Sequence, residues 1–274
     1  MNRRICLISV ISAIFLIMSL SSAEDIGGQS YFKGVEYAAQ GRFEEAKREH
    51  QKALSDEAYY AAAKLELHAV EDAISGKVKK EAVLLAFKGK EYAIMRKWEE
   101  AEAEYTEAIK KSPNCAYAFI SRGVAYLDNK LYDDALSDFS EALDADPRYT
   151  ETYYYRGIAY LYKSQFNKAI SEFTKAIETD NKAAPLYFRR GEVYGYKDRY
   201  DMAIPDFDKA IELKPDYAAA YFNKAYACEK RGLKEEAIEA YKKFIQYAGA
   251  EESKYLKNAK DSIQRLEAPS RTGK

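Results

Sequence analysis

Arg122-Gly123 with Tyr126 returns 34 positions later as Arg156-Gly157 with Tyr160 and again as Arg190-Gly191 with Tyr194, while Lys88-Gly89 with Tyr92 stands 34 positions earlier. A period of this length constrains the fold more than any single motif. A chain that repeats itself builds stacked copies of one small unit and needs no single globular core. With the glycine numbered as position 8, units begin at residues 27, 82, 116, 150, 184 and 218. In the four units from 82 to 217, position 8 is Gly89, Gly123, Gly157 and Gly191, and position 11 is tyrosine throughout. Position 20 is Ala101, Ala135, Ala169 and Ala203, and position 24 is Tyr105, Phe139, Phe173 and Phe207. Position 27 is Ala108, Ala142, Ala176 and Ala210, and Pro113, Pro147 and Pro215 hold position 32, with Asn181 standing in once.

Apolar residues at positions 4, 8 and 11, and again at 20, 24 and 27, follow the three-and-four spacing of a helix stripe. Each unit therefore reads as two helices, A ending near position 14 and B starting near 18, with the proline at 32 stopping helix B. Two antiparallel helices turning near position 15 bring together positions that sum to about 30, so glycine 8 is expected to face alanine 20. A glycine inside a helix costs about 1 kcal/mol relative to alanine. Close approach of the two backbones is the return expected here, with the aromatic residues at 11 and 24 filling the space beside them.

This pattern resembles the tetratricopeptide repeat, a 34-residue helix hairpin with small residues at 8, 20 and 27, aromatics around them and proline at 32. The resemblance covers residues 82–250, as five units at 82–115, 116–149, 150–183, 184–217 and 218–250. It implies an all-α, right-handed α-solenoid of about six helix hairpins. The ends depart from the pattern. Unit 27–60 keeps Gly34, Tyr37, Ala46 and Ala53, puts His50 in the aromatic slot, and is followed by 21 extra residues, of which Asp56 to Ser75 read as one helix closed by Gly76. Residues 27–76 thus form an atypical first repeat with an inserted helix. Unit 218–250 has Ala225 for the glycine, Cys228 for the tyrosine and Gly249 for the proline. Residues 251–267, with Tyr255, Ala259, Ile263 and Leu266 on one stripe, read as a capping helix, and 268–274 as a tail.

The N-terminus is different in kind. Asn2-Arg3-Arg4, the apolar run Ile5 to Leu20 and then Ser21-Ser22-Ala23 have the order of a secretory signal peptide over residues 1–23. Sixteen residues of helix reach about 24 Å, short of the ~30 Å hydrocarbon core. Cleavage after Ala23 is expected, giving an exported, periplasmic or secreted chain; the alternative is a membrane anchor formed by residues 5–20. Cys6 lies within the apolar run rather than at its end, which argues against a lipid-attached terminus. Two cysteines remain, Cys115 and Cys228, too few for a disulfide framework and about three repeats apart. They read as small packing residues, with an intermolecular bond at Cys115 as the alternative.

Charge excludes some partner classes. Lys and Arg number 43 against 44 Asp and Glu, so nothing points to nucleic acid or to an anionic membrane surface. Position 7 carries Lys33, Lys88, Arg122, Arg156, Arg190 and Lys224, a row that could be taken for an anion site. The hairpin rule sets it against position 23, where Glu49, Glu104, Asp138, Glu172 and Asp206 stand in five of six units, with Ala240 in the last. Ion pairs within each hairpin are expected, the alternative being a ladder for phosphate or carboxylate ligands. No catalytic constellation appears: His50 and His68 are the only histidines, with no metal-ligand spacing, nucleophile elbow or phosphate loop around them. No cofactor, metal or small-molecule substrate is implied, and the chain is not expected to be an enzyme. His50 reads as a core residue, and the single tryptophan, Trp98, takes the aromatic position 17.

The resemblance also implies where a partner would bind. In tetratricopeptide proteins positions 2, 5, 9, 12 and 13, on helix A, line a concave groove. Here those rows include Ile120, Tyr154, Phe188 and Phe222 at position 5, Val124, Ile158 and Tyr226 at position 9, and Tyr162 and Tyr196 at position 13. Family members that bind chaperone C-terminal carboxylates use lysine and asparagine on these rows, an arrangement missing here. These nine residues are the expected partner-binding set, suited to a protein or peptide with apolar anchors. The alternative is that the groove is covered, by a tight superhelix or by the protein's own N-terminal segment. The expected function is an exported scaffold in an envelope complex, or a membrane-anchored assembly subunit if the N-terminus is retained.

Overall fold

The computed structural model describes residues 26–54, 59–248 and 253–268. Residues 1–25, on which the expected signal peptide falls, residues 55–58 with the expected start of the inserted helix at Asp56, Gly249 and the tail beyond residue 268 lie outside the described residues. Those described form helices and no strand: α1 (Ile26–Ala39), α2 (Phe43–Ala53), α3 (Tyr60–Ser75), α4 (Lys80–Ile94), α5 (Trp98–Lys111), α6 (Ala116–Asp128), α7 (Tyr132–Ala145), α8 (Glu151–Tyr162), α9 (Phe166–Thr179), α10 (Ala184–Tyr196), α11 (Tyr200–Leu213), α12 (Ala218–Lys230), α13 (Lys234–Tyr247) and α14 (Ser253–Glu267). None of them is long and apolar enough to cross a membrane. They are arranged as helix hairpins of an α-solenoid, in two compact units that divide between Thr152 and Tyr153.

One turn recurs between the helices of every hairpin. Position 15 is left-handed each time, at Gly41, Arg96, Lys130, Ser164, Asp198 and Gly232, with φ between 55° and 77°. Its amide donates three residues back, as in Lys130 N to Leu127 O at 2.9 Å, and the next amide donates to position 11, as in Leu131 N to Tyr126 O at 2.9 Å. That pair of bonds satisfies two of the orphan carbonyls at the end of helix A and reverses the chain in three residues. Only the first and last hairpins place glycine there. The four middle ones hold a side chain in a conformation that costs roughly 1 kcal/mol or more.

Helix B then buries its small-aromatic-small stripe. Ala101, Tyr105 and Ala108 in α5, Ala135, Phe139 and Ala142 in α7, and Ala203, Phe207 and Ala210 in α11 are all buried. The glycine of helix A faces the ring at position 24 and not alanine 20, which corrects the pairing expected from the hairpin rule. A Cβ on Gly123 would stand 2.6 Å from Phe139 Cε1, on Gly157 2.8 Å from Phe173 Cε1, and on Gly34 2.5 Å from His50 Cε1. The helices approach closely because the ring lies flat over a bare Cα, and the alanine only completes the floor; the Ala101 carbonyl is third nearest to Gly89, at 3.1 Å.

In the N-terminal unit α1 and α2, α4 and α5, and α6 and α7 pair as hairpins, with α3 inserted. Helix α3 lies along α2, while α4 lies along α1. It closes at Gly76, which is left-handed at φ 75°. In the C-terminal unit the pairs are α8 with α9, α10 with α11, and α12 with α13. There α14 packs Ala259, Ile263 and Leu266 against Tyr241 and Phe244, covering the end of the last hairpin.

Candidate functional site

The expected partner-binding residues divide by depth within the C-terminal unit. Position 5 points inward. Phe188 is 6% exposed, with its ring centroid 4.9 Å from that of Tyr217 and 6.1 Å from that of Phe207. Tyr154 is half-buried in the cluster around Phe173, and Phe222 is ringed by Phe244, Tyr241 and Tyr255 at 5.1–5.9 Å. Ile158, at position 9, is half-buried beside the same Phe173 cluster. The accessible members are Tyr162 at 60%, Tyr196 at 64% and Tyr226 at 45% exposure. Two of these stand on a neighbouring ring: Tyr196 stacks on Phe166 at 6.0 Å and 11°, and Tyr226 meets Tyr200 edge-on at 6.2 Å. A tyrosine held this way keeps little rotamer entropy to lose on binding, which suits an anchor. Basic side chains stand close by, with Lys230 Nζ 5.1 Å from the Tyr226 ring centre and Lys197 bonded to Asn167.

In the N-terminal unit Ile120 is fully buried and Val124 half-buried. Here helix-A residues meet α3. Glu66 of α3 is 1% exposed and accepts a bond from the Tyr31 hydroxyl at 2.8 Å, with Lys90 Nζ at 3.7 Å and His50 Nδ1 at 3.6 Å. Burial pushes the Glu66 carboxyl up to about 7 against the pull of Lys90 and Tyr31. Burial also lowers His50 to about 4, with Lys90 adding repulsion, so the imidazole is neutral. Among the described residues Glu66 Oε2 and both nitrogens of His50 have no hydrogen-bond partner. Six residues further along α3, Asp72 accepts from Arg148 Nη2 at 2.7 Å and from the Tyr149 hydroxyl at 3.1 Å, while Lys64 lies 3.0 Å from Glu151 Oε1. Burial works against ionisation of Asp146, yet donors from Arg148 and Lys77 hold its carboxyl down to about 2.

The charge row is structural in its arginine units. Arg122 grips Asp138 with two bonds of 2.8 and 2.7 Å, Arg190 grips Asp206 at the same two lengths, and Arg156 Nε donates to Glu172 at 2.7 Å. The lysine units differ from expectation: among the described residues Lys33 and Lys88 make no such pair, and Glu49 turns to Lys52 at 2.6 Å. A guanidinium presents a planar fork that spans two helices, whereas an ammonium is a point donor on a solvated stem. The row also ties successive repeats together, which the hairpin rule did not foresee. Arg122 Nη1 reaches Thr106, Arg190 Nη1 reaches Thr174, and Lys224 pairs with Asp208, in each case position 25 of the preceding unit.

Cys115 is 1% exposed and its thiol is pushed up to about 12 by burial, so the intermolecular disulfide weighed above does not fit; Cys228 is free and buried as well. No group of three potential ligands that could hold a metal occurs among the described residues. Sequence reasoning passed over Glu66 and Asp72. The available signal was Glu66 at helical spacing from Ala63, Val70 and Ala73, a carboxylate inside an apolar stripe.

Comparison with known proteins agrees with the repeat geometry. Four models of the tetratricopeptide repeat match residues 88–150, 150–182, 184–217 and 207–239. Among curated proteins none matches the chain at a significant level. A crystal structure of MamA is 28% identical, with a TM-score of 0.56, over 62% of this chain and 96% of that one. A second MamA crystal structure is 26% identical at the same TM-score, over 65% of this chain and 95% of its own. YrrB, a TPR protein with an unusual peptide-binding site, is 22% identical with a TM-score of 0.56 over 72% of this chain and 97% of that one, a likeness of fold. Matched across residues 88–239 and built of hairpins with the same small-aromatic register, the chain belongs to the tetratricopeptide repeat proteins.

Proposed function

We propose that the protein is a non-enzymatic scaffold that holds a protein or peptide partner on the helix-A rows of its C-terminal unit. The observation that carries this reading is the exposure of Tyr196 and Tyr226, large rings left accessible on helix A and steadied from beneath by Phe166 and Tyr200. Exposed aromatics on a rigid support are the usual anchors of an interface. Tyr162 extends the row and Ile158 supplies its apolar floor. Tyr154, Phe188 and Phe222 support these anchors from within. The partner is apolar where it meets the rings. The order of basic, apolar and small residues at the N-terminus favours export and a place in an envelope complex; retention of residues 5–20 as an anchor is the second reading, which intact mass of protein recovered from the envelope decides.

The test is to purify the exported form with its bound proteins and to measure the affinity of the recovered partner for single variants. Tyr196→Ala and Tyr226→Ala should each cost on the order of 2 kcal/mol. Wild-type affinity in both variants would remove the C-terminal helix-A rows as the docking surface.

A further inference from the structure

We propose that the chain associates head to tail with a second copy of itself, the turn edge of one copy's N-terminal unit docking on the turn edge of the next copy's C-terminal unit. That edge is where helix A passes to helix B, positions 13 to 19 of each repeat. The inference rests on its charges and aliphatic side chains and not on the tyrosine row. Charge is balanced over the whole chain, at −1, but not over its parts. Up to Thr152 the sequence holds 20 Lys and Arg against 26 Asp and Glu, and from Tyr153 on it holds 23 against 18. The turn edge reverses sign in the same way. Residues 39–45, 94–100 and 128–134 carry four basic and seven acidic side chains, whereas residues 162–168, 196–202 and 230–236 carry seven and four. Opposite edges on one chain attract between copies, and a net charge near zero leaves no long-range repulsion to keep the copies apart.

Several residues of this edge do nothing for the hairpins that hold them. Lys168 and Lys234 stand in the first turns of α9 and α13, where the helix macrodipole disfavours a cation. Lys168 takes the place that Glu45, Glu100 and Asp134 hold in the N-terminal hairpins. Among the described residues the exposed large aliphatic side chains are Leu131, Met202 and Leu233, at 48%, 39% and 39%, and all three lie on this edge. At position 16 the other hairpins place Arg42, Lys97, Gln165 and Arg199 where these two leucines stand. Each leucine belongs to the third hairpin of its unit, and their settings are opposite. Leu131 lies among the exposed Asp128, Asp133 and Asp134, and Leu233 among the exposed Lys230, Arg231 and Lys234. Lys130 on one side and Glu235 with Glu236 on the other reduce this contrast without reversing it. An apolar knob ringed by one sign fits the same knob ringed by the other, since the leucines exclude water while the charges fix partner and register. The two edges differ, so the contact is heterologous and runs from copy to copy instead of closing a two-fold pair. Loops of this size make a small interface, so the association is weak and salt-sensitive.

The test is sedimentation velocity on the purified full chain. Association should be present in about 50 mM salt and about tenfold weaker in about 500 mM. Asp128→Lys with Asp134→Lys makes both edges basic, and Arg231→Glu with Lys234→Glu makes both acidic. Each double variant alone should associate about tenfold more weakly than wild type, and an equimolar mixture of the two should recover the wild-type strength, because each then meets the opposite sign. Recovery in the mixture also shows that both variants are folded, and Leu131→Gln, which alters no charge, should weaken association of the wild-type edges. Tyr226→Ala, on the separate partner row, should leave self-association unchanged; its loss there would move the contact to the helix-A rows and overturn the edge. A wild-type chain that stays monomeric at about 100 μM in low salt overturns the proposal, as does a mixture that fails to recover while both variants keep wild-type helicity. If the chain is monomeric alone and sediments only with phosphatidylserine vesicles, the basic edge meets a membrane and the proposal fails.

Discussion

The two units use one hairpin and treat its helix-A face in opposite ways. In the N-terminal unit that face carries a helix from outside the repeat, and Tyr117 and Ile120 are buried. In the C-terminal unit Tyr162 and Tyr196 at position 13 and Tyr226 at position 9 stand exposed to solvent. The hairpins themselves hardly differ, with the same left-handed turn at position 15 and the same ring over glycine. The repeat therefore determines a support, while function depends on what is laid over it or left off it. The ion pair across the hairpin follows the residue at position 7 rather than the unit, since it forms at Arg122 in the N-terminal unit and at Arg156 and Arg190 in the C-terminal one.

The sharpest way to separate the units is pH, because a buried glutamate and histidine face each other only in the N-terminal one among the described residues. Glu66 is raised from an ordinary 4.5 to about 7, so its contribution is full below 4.5 and is lost as pH rises through 7. His50 is lowered from 6.5 to about 4, so its contribution is full above 6.5 and is lost as pH falls through 4. The two slopes oppose each other in the wild type. In Glu66→Gln, denaturation followed by fluorescence of Trp98, which reports this unit, should weaken toward acid. Across pH 4 to 8 the difference from wild type should change by on the order of 3 kcal/mol. A pH-independent difference would remove the buried carboxylate as the source.

Adding a methyl at the glycine should show how alike the hairpins are. Gly123→Ala in the N-terminal unit and Gly157→Ala in the C-terminal unit should each cost about 2 kcal/mol of unfolding free energy, because Phe139 and Phe173 are fully buried and cannot swing away. Unequal costs would mean that one hairpin relaxes where the other does not.

The ion-pair row should break the symmetry. Arg122→Gln and Arg156→Gln should each cost about 1–2 kcal/mol by leaving a buried carboxylate without its fork, while Lys88→Gln should cost less than about 0.5 kcal/mol. Adding Glu172→Gln to Arg156→Gln should cost less than the sum of the two single changes. Strict additivity would dissolve the pairing. The smallest effect is expected at the turns: Lys130→Gly and Ser164→Gly should each stabilise by roughly 0.5 kcal/mol, relief of the left-handed residue outweighing the entropy of glycine in the unfolded chain.

The period alone made the hairpins, their turns and the buried stripe legible, since small and aromatic residues at fixed offsets leave helical pairing few alternatives. It also brought Arg122, Arg156 and Arg190 to the right partners. The depth of the helix-A rows was not legible. Phe188 and Tyr196 both read as apolar residues on one face, yet one is 6% and the other 64% exposed. A helical wheel gives direction around an axis and says nothing of how far the neighbouring helix extends.

The sequence by itself determined the repeat, the all-helical class and the glycine-aromatic register, because these depend on spacing within 34 residues and every unit restates them. Tertiary structure alone decided where the inserted helix lies, which partners Glu66 and Asp72 meet, and which tyrosines stay accessible. Those outcomes join residues as far apart as Asp72 and Tyr149, 77 positions along the chain. No local period records such a distance, since the energy that settles it is the burial of one unrepeated helix against faces contributed by several repeats.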